Sequence, residues 1–167
     1  MDFRGINEFM KDSLKFIAIL AIIFIIFVYV ISLQQVIGSS MSPTLNDQNI
    51  VLIDKVHYHF FNVKRNDIIS FKYKDSEYLI KRVIGLPGET IKYKDNTLYI
   101  NGNQVEENFL NSINTEDFEL FWLGYDVIPD NMYLVLGDNR GNSIDSRNFG
   151  LIKKEDIVGK MVVKIGS

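Results

Sequence analysis

The sequence predicts a mainly β domain carried behind a single N-terminal membrane-spanning helix. Three observations predict it. The run Phe16–Leu33, FIAILAIIFIIFVYVISL, holds 18 residues without a charge. Beyond Leu33 the pattern changes to short apolar stretches of strand length, divided by turn residues. Two of the dividers, KDNT (Lys94–Thr97) and NGNQ (Asn101–Gln104), stand at hairpin spacing.

At ~1.5 Å rise per residue the apolar run spans roughly 27 Å, close to the hydrocarbon thickness of a bilayer. A cleavable signal peptide competes for this reading, because Gly38, Ser39 and Ser40 follow the run. The run exceeds the about 7–15 residues of a cleavable apolar core, which favours an uncleaved signal anchor. Arg4, Lys11 and Lys15 precede it, and the next basic residue is Lys55. The positive-inside rule therefore predicts a cytoplasmic N-terminus. The expected division is a cytoplasmic segment 1–15, an anchor 16–33 and an extracytoplasmic domain 34–167. Such a chain crosses the cell membrane once, and the lipid bilayer is one of its partners.

Candidate strands in the outer domain are Ile50–Ile53, Ile68–Tyr73, Tyr78–Ile84, Thr90–Tyr93, Leu98–Ile100, Tyr133–Leu136 and Val158–Ile165. Glu89–Val105 reads as a β-meander. Glu106–Asp126 is an aromatic, acidic insertion that suits either a helical turn or a flap. An all-β domain results, its edges managed by closure or packing.

Composition narrows the function. An apolar fraction of 47% supplies a core. A net charge of −3, with the two signs nearly balanced, leaves no basic footprint for nucleic acid. The absence of cysteine excludes thiol catalysis, disulfides and cysteine-based metal sites, and leaves the compartment open. His57 and His59 are the only histidines, too few for a protein-only zinc site, and no metal-ligand spacing is visible. No metal or cofactor is expected.

Three segments could carry chemistry. VIGSSMSPTL (Val36–Leu45) places Ser39, Ser40 and Ser42 between Gly38 and Pro43. A serine is a weak nucleophile without a base, and Gly-Ser-Ser clusters are commonly turns. YLIKRVIGLPGE (Tyr78–Glu89) puts Lys81 on a strand face with Leu79 and Val83, and Arg82 on the other with Ile80 and Ile84. A desolvated lysine loses its proton easily and becomes a base, but the segment alone favours a snorkelling lysine on a half-exposed strand. GDNRGNSIDSRNFG (Gly137–Gly150) is rich in Asp, Arg, Asn and Ser. It suits a solvated turn, or an ordered loop that holds a neighbouring active group.

Taken together and in this order, the segments resemble the bacterial type I signal peptidases, the membrane-bound Ser–Lys endopeptidases. GSSMSPTL resembles the nucleophile box, KRVIGLPGE the lysine box and GDNRGNSIDSR the third box. KRNDIISF (Lys64–Phe71) resembles a fourth, with Asn66 in place of the usual glycine. The resemblance runs from the anchor to about Gly150. It implies an antiparallel β-sheet catalytic domain that cleaves signal peptides from secreted preproteins.

By that resemblance Ser40 is the nucleophile, Lys81 its general base and Ser143 the hydroxyl that orients the lysine amine. Asp145 and Arg147 fall on an ion pair that braces the site. Gly38 stands where some relatives carry an oxyanion-binding serine, so the oxyanion hole is expected from backbone N–H groups around Gly38 and Ser40. Val36, Ile37, Leu79 and Ile80 are expected to line shallow pockets for the small residues of a substrate docked as an added strand. The implied mechanism passes through an acyl-enzyme. Rival readings are a Ser-His-Asp hydrolase using His57 or His59, a Ser–Lys self-cleaving repressor, and an anchored binding domain without activity.

Overall fold

The computed structural model describes residues 3–75, 77–110 and 114–166. The apolar run lies within a longer helix, α1 (Phe3–Ile25), which closes in a π-helical turn over Ile26–Val30. Its stretch Glu8–Val30 is long and apolar enough to cross a membrane, and none of its most apolar window is buried against protein. The helix starts upstream of the apolar run because polar residues also sustain helix outside a bilayer. It ends earlier than the predicted Leu33. Ile31, Ser32 and Leu33 instead open strand β1 (Ile31–Gln35), where they face Asp54, Ile53 and Leu52 of β2 (Ile50–Asp54). Apolarity alone does not separate the last turn of a helix from the first residues of a strand; here the ladder to β2 decides.

All seven candidate strands form. The remaining elements are α2 (His57–Phe60), β3 (Ile68–Lys74), β4 (Glu77–Gly85), β5 (Ile91–Lys94), β6 (Thr97–Ile100), β7 (Asn103–Val105), β8 (Phe118–Glu119), β9 (Met132–Leu136), α3 (Ser146–Phe149), β10 (Ile152–Lys153) and β11 (Ile157–Ile165). They build one sheet in the order β1-β2-β11-β3-β4-β9-β10 and a smaller one in the order β7-β6-β5-β8. Every pairing in both is antiparallel.

The meander turns more tightly than the sequence spacing suggested. Asp95 and Asn96 alone form the first turn, with φ of 50° and 62°, and Asn101 with Gly102 the second, at 51° and 79°. Positive φ at both central residues is the two-residue turn whose twist matches antiparallel strands. The outer residues of KDNT therefore belong to strands, and Asn103 and Gln104 of NGNQ belong to β7. Within Glu106–Asp126, whose residues 111–113 lie outside the described residues, β8 and a 3-10 turn (Leu120–Leu123) bury Phe118 and Leu120 against the small sheet.

Three apolar clusters fill the domain. One joins Ile84, Leu134 and Leu136 of the large sheet to Tyr93, Leu98 and Ile100 of the small one. A second gathers Ile69, Phe71, Val83 and Val135. The third lies under the loop after β1 and contains Val36, Met41, Leu45, Val51 and Ile53. One register row crosses the large sheet: Ile31 faces Asp54, Asp54 faces Lys160, Lys160 faces Ile69, and Ile69 faces Lys81. Four strand spacings of ~4.8 Å place Lys81 roughly 19 Å to the side of the helix end, in the row of the first residue after it.

Candidate active site

The loop Val36–Asn49 is fixed from below and from the side. Met41 and Leu45 are fully buried in the third cluster, and Val36 is 4% exposed. Turn bonds from Ser42 N–H to Ser39 O (3.0 Å) and from Leu45 N–H to Met41 O (2.9 Å) close the backbone around Ser40. The Gly137–Gly150 segment clamps the loop. Asn139 N–H donates to Ser40 O (3.0 Å), Asn139 Nδ2 to Ser39 O (3.1 Å), and Asn142 Nδ2 to Ser39 Oγ (3.0 Å). Ser39 and Ser42 are thereby bound up in the loop, Ser42 through Asn46. Among the described residues Ser40 Oγ hydrogen-bonds to one side chain.

That side chain is Lys81. Its Nζ lies 2.7 Å from Ser40 Oγ and 3.2 Å from Ile80 O, and the residue is 2% exposed. Burial pulls the amine down to about 8 from the ordinary 10.5, against the opposing attraction of the Asp145 and Asp138 carboxylates. The snorkelling alternative does not fit a lysine that is 2% exposed.

Asp145 is fully buried and accepts from Gly137 N–H (3.0 Å), while Arg147 grips both its oxygens at 2.9 Å. Asp145 also caps α3 in a capping box with Asn148. Arg147 in turn donates to Arg140 O (2.7 Å). The expected ion pair is thus present and ties β9, the 140 loop and α3 together.

Two of the expected residues make other contacts in the structure. Gly38 N–H, assigned to the oxyanion, instead donates to Asp47 Oδ1 (2.7 Å), and Gln48 Nε2 steadies the same carboxylate at 3.1 Å. Gly38 has φ +83°, which turns its amide toward Asp47. Ser40 N–H has no hydrogen-bond partner among the described residues. Ser143 lines the site, but its Oγ is buried without a hydrogen bond to Lys81 or any other described residue. It packs on Gly137, where a Cβ would stand 2.2 Å from Ser143 Oγ and 2.4 Å from Ser40 O.

Val36, Ile37, Leu79 and Ile80 line one cleft of ≈ 610 Å³ together with Ser40 and Lys81. Ile37 is 86% exposed, Leu79 and Ile80 are half-buried, and Val36 presents only the edge of a core residue. Gln34, Gln35, Glu77 and Tyr78 complete the rim. A second hollow of ≈ 530 Å³, lined by Gly38, Ser143 and Ile144, also borders Ser40, Leu79 and Lys81.

Sequence reasoning missed several supports. Arg82 is buried and pairs with Asp138, its Nη2 2.6 Å from Oδ2, and its guanidinium lies 4.0 Å from the Phe109 ring centre. Arg140, also buried, binds Glu107 (2.6 Å), Tyr93 Oη and Thr115 Oγ1, which fastens the 106–126 insertion to the site loop. The density of Arg and Asp in GDNR was the available signal; the distant partners were not readable. Asn66, at the position expected to hold glycine, has φ +68°, a region asparagine tolerates best among residues with a side chain. His57 sits elsewhere, beside Asp54 and against Tyr58 and Phe61. Among the described residues no cluster of three or more metal-ligating side chains occurs.

A serine hydroxyl held against a buried amine, in an apolar cleft of an antiparallel sheet, defines the class as a serine hydrolase. A family model described as signal peptidase, peptidase S26, matches residues 8–165. The chain is 48% identical over 134 residues to signal peptidase I V of Bacillus subtilis (strain 168), covering 75% of this chain and 80% of that one. It is 34% identical over 168 residues to signal peptidase IB of Staphylococcus aureus (strain COL), covering 90% and 88%. A crystal structure of a signal peptidase I from Enterococcus faecalis V583 matches with a TM-score of 0.57 and 41% identity, over 61% of this chain and 98% of that one. The chain belongs to the signal peptidase family, peptidase S26.

Proposed function

We propose that this chain is an endopeptidase that removes signal peptides from secreted preproteins, with Ser40 as nucleophile and Lys81 as general base. The observation that carries the reading is the 2.7 Å approach of a buried lysine amine to Ser40 Oγ. A neutral Nζ accepts the Ser40 hydroxyl proton as Oγ attacks the scissile carbonyl carbon. The developing oxyanion is met by Ser40 N–H, the amide left without a partner. Collapse breaks the peptide bond, and the leaving amine takes its proton from Lys81. A water molecule, deprotonated by the same amine, then hydrolyses the Ser40 ester.

The bracing pair Asp145–Arg147 acts on this step by position, through Gly137 and the 140 loop, and by how much of the Asp145 charge Lys81 feels. Ser143 belongs to the wall against which Lys81 and the Ser40 backbone are placed. The substrate docks as an added strand: β1 has no partner on its outer edge among the described residues, and its continuation Val36–Ile37 leads to Ser40. The helix Glu8–Val30 anchors the chain, its N-terminus cytoplasmic and its β domain outside, so that the register row through Lys81 lies near the membrane where signal peptides emerge.

Cleavage of a peptide ending Ala-x-Ala before the cut, by the detergent-solubilised protein, tests the assignment. Ser40→Ala and Lys81→Ala should each abolish turnover and the acyl-enzyme seen by mass spectrometry after acid quench. His57→Ala and His59→Ala should retain it. Turnover surviving in Lys81→Ala would remove the dyad from consideration.

A further inference from the structure

Two hollows meet at the reacting groups. The cleft of Val36, Ile37 and Ile80 and the hollow of Gly38, Ser143 and Ile144 share Ser40, Leu79 and Lys81. Their other linings do not overlap. The cleft is built from β1 with its continuation and from β4, the hollow from the Gly38–Ser39 turn and the loop 141–144. A peptide cut at Ser40 has one arm on each side of the scissile bond. In the proposed reaction the cleft takes the arm that becomes the ester. That leaves the hollow for the arm that departs as the amine.

The loop that forms the hollow is pinned, yet its one large apolar side chain is exposed. Ile144 stands between two anchored neighbours. Ser143 Oγ is buried against Gly137, and Asp145 is fully buried, gripped by Arg147 and capping α3. Two residues before Ile144, Asn142 Nδ2 holds Ser39 Oγ at 3.0 Å. Ile144 itself is 65% exposed. Its backbone is therefore fixed in advance, and a ligand that meets the side chain orders little else. The half-buried Leu79 is the other large apolar residue of the lining, and apart from Lys81 the lining carries no ionisable side chain. An aliphatic group set against Ile144 and Leu79 takes apolar surface out of water on both sides. A carboxylate set there loses hydration, and the only cation available to replace it is the amine that has to be neutral.

We infer that Ile144 is a specificity-determining residue for the leaving side of the substrate. With Leu79 it receives an aliphatic side chain from the first two residues after the cut, and it disfavours acidic residues there. The inference rests on the Ser40–Lys81 reading and adds a zone of selection beyond the cut to the one before it.

Peptide cleavage by the full-length, detergent-solubilised protein tests it. Two peptides end Ala-x-Ala before the cut, and one continues with Leu-Leu, the other with Asp-Asp. The parent should show a kcat/KM about tenfold higher for Leu-Leu, the scale of one well-placed apolar contact. Ile144→Val should keep most of that ratio, and Ile144→Ser should bring it toward one. Ile144→Lys, at a position exposed enough to accept a charge, should invert it in favour of Asp-Asp. Each ratio is taken within one preparation, so any loss of folded enzyme cancels. A third peptide, with Val-x-Ala before the cut and Leu-Leu after it, measures selection on the other arm, and its ratio to the Ala-x-Ala peptide should be the same in parent and variants. Equal rates on Leu-Leu and Asp-Asp in the parent, or a ratio that Ile144→Lys leaves unchanged, overturn the role of Ile144 and leave the dyad standing. A change confined to the third peptide places Ile144 on the arm before the cut and overturns it as well. Cleavage of the Leu-Leu peptide that survives Ser40→Ala overturns the dyad, and the inference with it.

Discussion

The pH dependence of cleavage follows from the burial of Lys81. In the proposed dyad the amine has to be neutral to take the Ser40 proton, and burial brings it to about 8. At pH 7 about a tenth of the enzyme is then in the active form, against about 0.03% for a lysine at its ordinary value. The gap between 10.5 and about 8 is worth about 3 kcal/mol, or roughly 300-fold in neutral amine at pH 7. Because kcat/KM reports ionisations of the free enzyme, a soluble peptide without titrating side chains near the cut is the substrate to use. Its kcat/KM should rise about tenfold from pH 7 to a plateau above pH ~9, through one ionisation. An apparent value near about 6.5 would assign the base to an imidazole, and a rate still climbing above about 10.5 would mean a solvated lysine. Either result refutes the reasoning.

The same burial costs stability. Lysine is charged in the unfolded chain below about 10.5 and resists charging in the folded one, so the cost is full below about 8 and vanishes above about 10.5. Lys81→Met should therefore unfold at higher urea than the parent at pH 7, by up to about 3 kcal/mol, with the difference shrinking at alkaline pH. Gly137→Ala drives a Cβ onto Ser143 Oγ and the Ser40 carbonyl; it should abolish cleavage while circular dichroism keeps the parent β signal. Arg147→Met exposes Lys81 to the uncompensated Asp145 carboxylate, and should move the kcat/KM ionisation to higher pH, with Arg147→Lys restoring part of the shift.

The fold was legible where one residue type or one period decides. Strand alternation and the Asp-Asn and Asn-Gly pairs revealed the meander, because positive φ narrows the choice of residue. The end of the helix was not legible. Ile31–Leu33 carry no charge and are mostly apolar, which suits either state, and only Leu52, Ile53 and Asp54, some twenty residues on, make them strand. At the site, Ser40 and Lys81 were singled out through the order of the motifs, and the Asp145–Arg147 pair through the family resemblance that those motifs carry. The engagement of Gly38 by Asp47 was hidden, since Asp47 lies in a turn that no motif marks. The Arg82–Asp138 and Arg140–Glu107 pairs join segments 56 and 33 positions apart, and sequence offers no distance of that kind.

Those arginine pairs bear on the chemistry as well as on the fold. Asp145 and Asp138 are the charges that pull Lys81 toward its protonated state. Each is gripped by an arginine, Asp145 by Arg147 and Asp138 by Arg82. Buried carboxylates are thus available to accept Gly137 N–H and to hold the 137–150 loop, while their charge is offset before it reaches the amine. A loop ordered by neutral amides alone would lack the strong, directed bonds that hold the segment from which Asn139 reaches the Ser39–Ser40 backbone and Asn142 the Ser39 hydroxyl. A loop ordered by bare carboxylates would keep the lysine charged. Paired charges satisfy both demands, which is a physical reason for Asp and Arg to occur together in GDNRGNSIDSR beside the proposed base, which would work only when neutral.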